Sequence, residues 1–215
     1  MTQDRPLFGI FLMLGFCILA PLGDAIAKLL GETMPLLVLV FVRFAIQAVI
    51  LVPLVTMTAR PWRMPFRLVK LVIARTLLHI AGISAMFGSL KFLPLADAVA
   101  IAFVMPFIML LLGKYYLGEE VGSRRLGACV VGFVGTLLVI QTSFAEVGLP
   151  ALLPLIVAVV FALFMLVTRK LAKETDPISL QAVSGVMASV ILLPAFLISP
   201  AGMLTASLSA LDSSA

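Results

Sequence analysis

Seven long apolar runs fill the chain between residues 7 and 198, and no other feature constrains its fold as strongly. They lie at about 7–30, 36–56, 70–90, 94–117, 126–142, 150–168 and 178–198. Most approach or exceed the ~20 residues that a helix needs to cross a hydrocarbon core at 1.5 Å per residue. In lipid, every backbone N–H and C=O must be satisfied within its own helix or within a closed barrel. Barrel strands would be shorter and would alternate in polarity. These runs do neither, so the expected fold is an all-α polytopic membrane protein. Composition removes the soluble alternative. Hydrophobic residues make up 63% of the chain and charged residues 12%, whereas a soluble domain carries about 45–50% and about 25%. The first run is not expected to be a cleaved leader. Its uncharged stretch, Pro6 to Gly23, is long for one, and no small-x-small cleavage site stands out.

The breaks between runs carry turn or charge signals, among them Gly31-Glu32-Thr33-Met34-Pro35, Arg60-Pro61-Trp62-Arg63 and Glu174-Thr175-Asp176-Pro177. The basic residues in them set an orientation. With a cytoplasmic N-terminus, the inner segments hold eleven Lys and Arg, and the outer segments hold only Lys91. Lys28, Arg43 and Arg75 fall within or at the ends of spans and are not counted. The formal charge of +5 is therefore loop punctuation. It forms no stripe along one face, so no nucleic-acid partner is expected. Cys17 and Cys129 both lie in apolar runs and suggest neither a disulfide framework nor a metal site.

At an offset of 142 residues the chain echoes itself. Lys28-Leu29-Leu30-Gly31-Glu32-Thr33-Met34-Pro35 aligns with Lys170-Leu171-Ala172-Lys173-Glu174-Thr175-Asp176-Pro177, identical at five of eight positions. An odd number of spans separates the copies, so the second would enter the membrane from the opposite side. Inverted repeats of this kind underlie many secondary transporters. The expected division is a complete repeat over 1–142, a partial one over 143–198, and a disordered extracytoplasmic tail over 199–215. Residue 215 corresponds to residue 73 of the first copy, about three helices short of a second full repeat.

Leu93-Pro94-Leu95-Ala96-Asp97-Ala98-Val99-Ala100-Ile101-Ala102-Phe103 leads through Pro106 to Leu117-Gly118-Glu119-Glu120, and then to the glycine-rich Gly127-Ala128-Cys129-Val130-Val131-Gly132-Phe133-Val134-Gly135-Thr136. This stretch resembles the end of the first EamA repeat of the drug/metabolite transporter superfamily. The resemblance extends over about 1–198. It implies ten helices in two inverted five-helix repeats, both termini cytoplasmic, a central cavity, and alternating access for small organic solutes across a bacterial inner membrane. The count of seven spans departs from it. Either the chain is cut short or the last three helices are supplied elsewhere.

Ionisable groups inside spans are costly and are functional candidates by default. Asp24 and Arg43 both lie about 9–10 Å from the outer surface by helical rise, which would set them level. Lys28 is four residues from Asp24, on the same face. The group is either a structural ion pair or a substrate- or proton-sensing cluster, and one holding both Asp24 and Arg43 would suit a zwitterion. Pro21 and Gly23 are expected to interrupt the first span beside it. Gln47 and His79 form a second level pair, near about 13 Å depth. His79 is the only histidine and is either a packing residue or a substrate or proton site. Asp97 opens the fourth span, where the helix dipole stabilises a carboxylate. Pro106 is expected to kink that span, as a static bend or a gating hinge. Ala128, Gly132 and Gly135 share one face of the fifth span and are expected to let helices approach closely, at a homodimer or a seam between halves. Trp62, Tyr115 and Tyr116 suit an inner aromatic belt, with Arg75 snorkelling beside them.

An integral-membrane enzyme is the least expected reading. His79 has Ile83 four residues on, so there is no HxxxD motif, nor any HExxH, GxSxG or Walker loop. No cofactor is expected. A small-metabolite secondary transporter fits best, and a non-transporting membrane fragment or structural subunit is the alternative.

Overall fold

The computed structural model describes residues 6–62, 65–117 and 122–198. The tail expected over 199–215 and the Gly118-Glu119-Glu120 break lie outside the described residues. The described chain is helical, without strands: α1 (Pro6–Gly31), α2 (Leu36–Met57), α3 (Val69–Ser89), α4 (Leu95–Ala102), α5 (Met105–Leu117), α6 (Ser123–Val147), α7 (Leu153–Leu171) and α8 (Pro177–Ile198). Single 3₁₀ turns, Phe66–Leu68 and Leu149–Leu152, lead into α3 and α7. Among the described residues, seven stretches are long and apolar enough to cross a membrane.

Two expectations about proline are corrected. Pro21 and Gly23 do not interrupt the first span, since α1 runs continuously through both. A proline inside a helix removes one hydrogen bond, here the one to the Cys17 carbonyl, and a membrane helix tolerates a single loss. Pro106 does more than kink. The run 94–117 becomes two helices, α4 and α5, parted at Phe103-Val104. Pro106 has no N–H for the Ala102 carbonyl. The chain tightens instead, with Val104 N donating to Ile101 O (3.1 Å) and Phe107 N to Val104 O (3.0 Å).

Helices pair out of chain order. α3 lies chiefly along α7 and α2 along α8, α3 also reaches α8, and α5 leans on α7. The span containing α3 is the most buried of the seven and the one formed by α1 the least, so α3 is the axis and α1 faces outward. Phe44, Ile83, Phe87, Leu93, Val157 and Ala188 belong to the main core. A smaller cluster of Leu68, Val72, Leu171 and Leu180 fills the end near the α2–α3 and α7–α8 connections. Lipid is as apolar as leucine, so close packing and polar contacts hold such helices together. Gly185 is the clearest case. A Cβ there would come within 3.3 Å of the Ala48 backbone nitrogen, so a side chain would force α2 and α8 slightly apart.

Polar straps hold both ends. On the face rich in basic residues, Arg60 Nη1 meets Asp176 Oδ2 at 2.6 Å, and Arg67 pairs with Glu174. Asp176 also caps α8, its Oδ1 accepting from Ile178 N (3.1 Å), Ser179 N (2.9 Å) and Ser179 Oγ (3.1 Å). Pro177 follows in the first helical position, where a missing N–H costs nothing. Partial desolvation works against the Asp176 carboxylate. The hydrogen bonds from Ser179 and the Arg60 guanidinium outweigh it and hold the carboxyl below the usual range. On the opposite face, Lys28 Nζ donates to Leu90 O (3.2 Å) and Leu93 O (2.7 Å), satisfying carbonyls at the end of α3.

Candidate functional site: a polar column through the bundle

Along α3, Arg75 and His79 are four residues apart and share a face. Both are turned inward, at 4% and 5% exposure. At 1.5 Å per residue they lie within about 4 Å of the middle of a span that runs from Phe66 to Ser89. Arg75 therefore does not snorkel to a boundary, and that expectation is corrected. Its Nε donates to Thr168 Oγ1 on α7 (2.9 Å). Nη1 donates to Ser184 Oγ (2.7 Å) and Nη2 to Gln181 Oε1 (2.7 Å), both on α8. The guanidinium carbon stands 4.5 Å from the centre of the Phe164 ring, in cation–π geometry.

His79 sits among aromatic rings. Phe44 meets it edge-on at 5.0 Å, Phe164 lies at 4.8 Å and Phe161 at 6.2 Å. Its Nδ1 is buried with no hydrogen-bond partner among the described residues. Gln47, expected level with His79, bonds elsewhere: its Nε2 donates to the Gln181 backbone carbonyl at 2.9 Å. That bond ties α2 to the same stretch of α8 that holds Arg75. Arg43 lies one turn from Gln47 along α2, and the charges of Arg43 and Arg75 both reach His79.

Arg43 also lines an open groove of about 230 Å³ between α1, α2 and α3, with Gly23, Ala27, Leu39, Ile46 and Phe87. Asp24 on α1 is its electrostatic neighbour, though the two do not close to ion-pair distance. Lys28, the other expected partner of Asp24, is engaged with the carbonyls of Leu90 and Leu93. Asp24 and Arg43, then Gln47 and His79, then Arg75 thus follow one another as a series of polar groups within the spans.

The remaining candidates stand apart from this column. Asp97 lies in the first turn of α4 and accepts from Ser143 Oγ at 3.3 Å, which ties α4 to α6. Of the small residues on α6, Gly132 meets a neighbour: a Cβ there would fall 2.7 Å from the Phe107 ring on α5. Ala128 and Gly135 are exposed, and the space beside Gly135 is open, so the stripe does not act as one packing face within the chain. Among the described residues no group of His, Cys, Asp and Glu is arranged to hold a metal. Thr168, Gln181 and Ser184 escaped the sequence reading. Gln181 and Ser184 are three residues apart in an apolar run, and that spacing was the available signal.

Comparison with known proteins agrees on the class. Residues 7–141 match the EamA-like transporter family. The riboflavin transporter of Rhizobium johnstonii is 31% identical over 120 residues, covering 56% of this chain and 37% of the relative. The S-adenosylmethionine uptake transporters of Rickettsia bellii and Rickettsia felis are each 25% identical, over 180 and 202 residues. Those matches cover 80% and 89% of this chain and 59% and 66% of the relatives. The chain thus spans between 37% and 66% of the length of these three relatives. No solved structure matches it. With a family match over more than half its length, the chain is a multi-pass membrane protein that belongs to the EamA-like transporter family.

Proposed function

We propose that this protein carries a small organic metabolite across the bacterial inner membrane as a secondary transporter, by alternating access. The observation that carries the reading is the polar column at mid-span. A guanidinium, an imidazole and two carboxamides are costly in a lipid-embedded bundle and mark a solute path when they face its interior. The column lies where α2 and α3 meet α7 and α8. Those pairs belong to the two repeats, 1–142 and 143–198, so rocking of one repeat against the other would open and close the path. The Arg60–Asp176 and Arg67–Glu174 pairs bridge the same seam at one face and would part as that face opens. The basic residues around them support a cytoplasmic location for that face and for the N-terminus. The relatives' names point to solutes of the size of riboflavin or S-adenosylmethionine.

The test is uptake into vesicles reconstituted with the purified chain, using a labelled metabolite panel that includes both compounds. Saturable uptake, abolished by dissipating the solute or ion gradient, is expected. If no solute crosses faster than in empty vesicles, the reading fails.

A further inference from the structure

We propose that Arg75 forms a recognition site for an anionic group, a carboxylate or a phosphate, on the transported solute. The proposal rests on the transport reading and names its substrate class. A guanidinium carries five N–H donors in a planar fork. Three are used, one on each nitrogen, by Thr168, Ser184 and Gln181. Two remain, one on each Nη, without a partner among the described residues. One free donor on each Nη is the number that a carboxylate or phosphate needs to be held in bidentate fashion.

The acceptors already in place are all neutral. They satisfy donors and leave the charge uncompensated. Among the described residues no carboxylate lies within ion-pair distance of Arg75, whereas Arg60 and Arg67 each have an acid beside them. A structural arginine at this depth would be expected either to pair with an acid or to reach the surface. Arg75 does neither. Gln181 is itself positioned, because Gln47 Nε2 holds its backbone carbonyl at 2.9 Å. One turn along α3, His79 presents a buried Nδ1 with no partner among the described residues, and Phe164 lies against both side chains. The column as a whole holds Arg43 and Arg75 against the single carboxylate of Asp24, an excess of positive charge. The site lies near mid-span, far from the headgroups, so the anion it faces arrives on a solute.

The test uses the full chain in phosphatidylcholine vesicles, with a second arm containing phosphatidylglycerol to expose any headgroup effect. Three matched pairs differ by one anionic group: riboflavin and flavin mononucleotide, adenosine and adenosine monophosphate, methioninamide and methionine. Uptake and thermal stabilisation are both recorded. For at least one pair the anionic member is expected to be preferred by at least about 10-fold, the size of one charge-assisted hydrogen-bonded contact. Arg75→Lys keeps the charge without the fork and should retain part of that preference; Arg75→Gln should lose it. Gln181→Glu guards against a variant that merely fails to fold. It supplies Arg75 with an internal carboxylate, so it should raise the unfolding temperature and remove the anion preference together.

A Gln181→Glu protein that is more stable yet keeps its preference overturns the proposal, as does a wild type that treats all three pairs alike. A preference that appears only with phosphatidylglycerol present assigns the effect to lipid and also overturns it. If no compound is transported but the anionic members still stabilise wild type and not Gln181→Glu, the transport reading fails and the anion site stands. If no compound is transported and none stabilises the protein, both fail.

Discussion

Asp176 joins two interactions at one carboxyl group, one oxygen capping α8 and the other facing Arg60. Asp176→Ala should therefore cost about 1 kcal/mol, the ordinary loss for a helix cap, and Asp176→Asn less, because its amide oxygen can still cap. Thermal unfolding of the purified protein would measure both. The folded carboxyl is held below its ordinary range. Its contribution is thus fully present above the unfolded value near 3.9 and is lost as pH falls through the lower folded value. Wild type and Asp176→Ala should converge in stability only below about pH 4. The Asp-Pro step was legible as a turn from adjacent residues alone. Arg75 was not, because its partners lie 93 to 109 residues away in sequence. Local pattern placed it little more than one turn into a span, and from there an arginine can either snorkel or turn inward.

At the level of elements, run length was enough to place the helices, because lipid forces each apolar run of ~20 residues into one solution. What it could not supply was the difference between two prolines. Pro21 lies in a helix with few neighbours and leaves it whole. Pro106 lies between segments drawn to different partners: α4 packs on α6 and α7, α5 chiefly on α7. The lost hydrogen bond becomes a break where packing pulls the two sides apart. Pro106→Ala restores a donor for the Ala102 carbonyl. Amide exchange at residues 103–105 and 107 should slow, and uptake should fall if the break is a working hinge. Exchange unchanged at these positions would mean that the neighbours alone hold the break open. The small-residue stripe on α6 shows the same limit. Its spacing was correct, but only Gly132 has a helix to receive it.

Across the whole molecule, the order of pairing departs most from the order of synthesis. α2 and α3 find their main partners in α8 and α7, with five helices between the first pair and three between the second. Hydropathy carries no information about which faces meet, so the column and its seam became visible only in three dimensions. The inward turn of Arg75 then has a consequence for biogenesis. Its acceptors, Thr168, Gln181 and Ser184, emerge from the ribosome about 100 residues later, a delay of about 5–20 s at ordinary synthesis rates. During that interval an unaccompanied guanidinium has to be sheltered by water, lipid headgroups or the insertion machinery. Nascent chains arrested before α7 are expected to integrate their third span poorly, and Arg75→Leu should restore integration, as read by glycosylation mapping. The residue that completes the bundle would then also be the one that makes the bundle wait for its last helices.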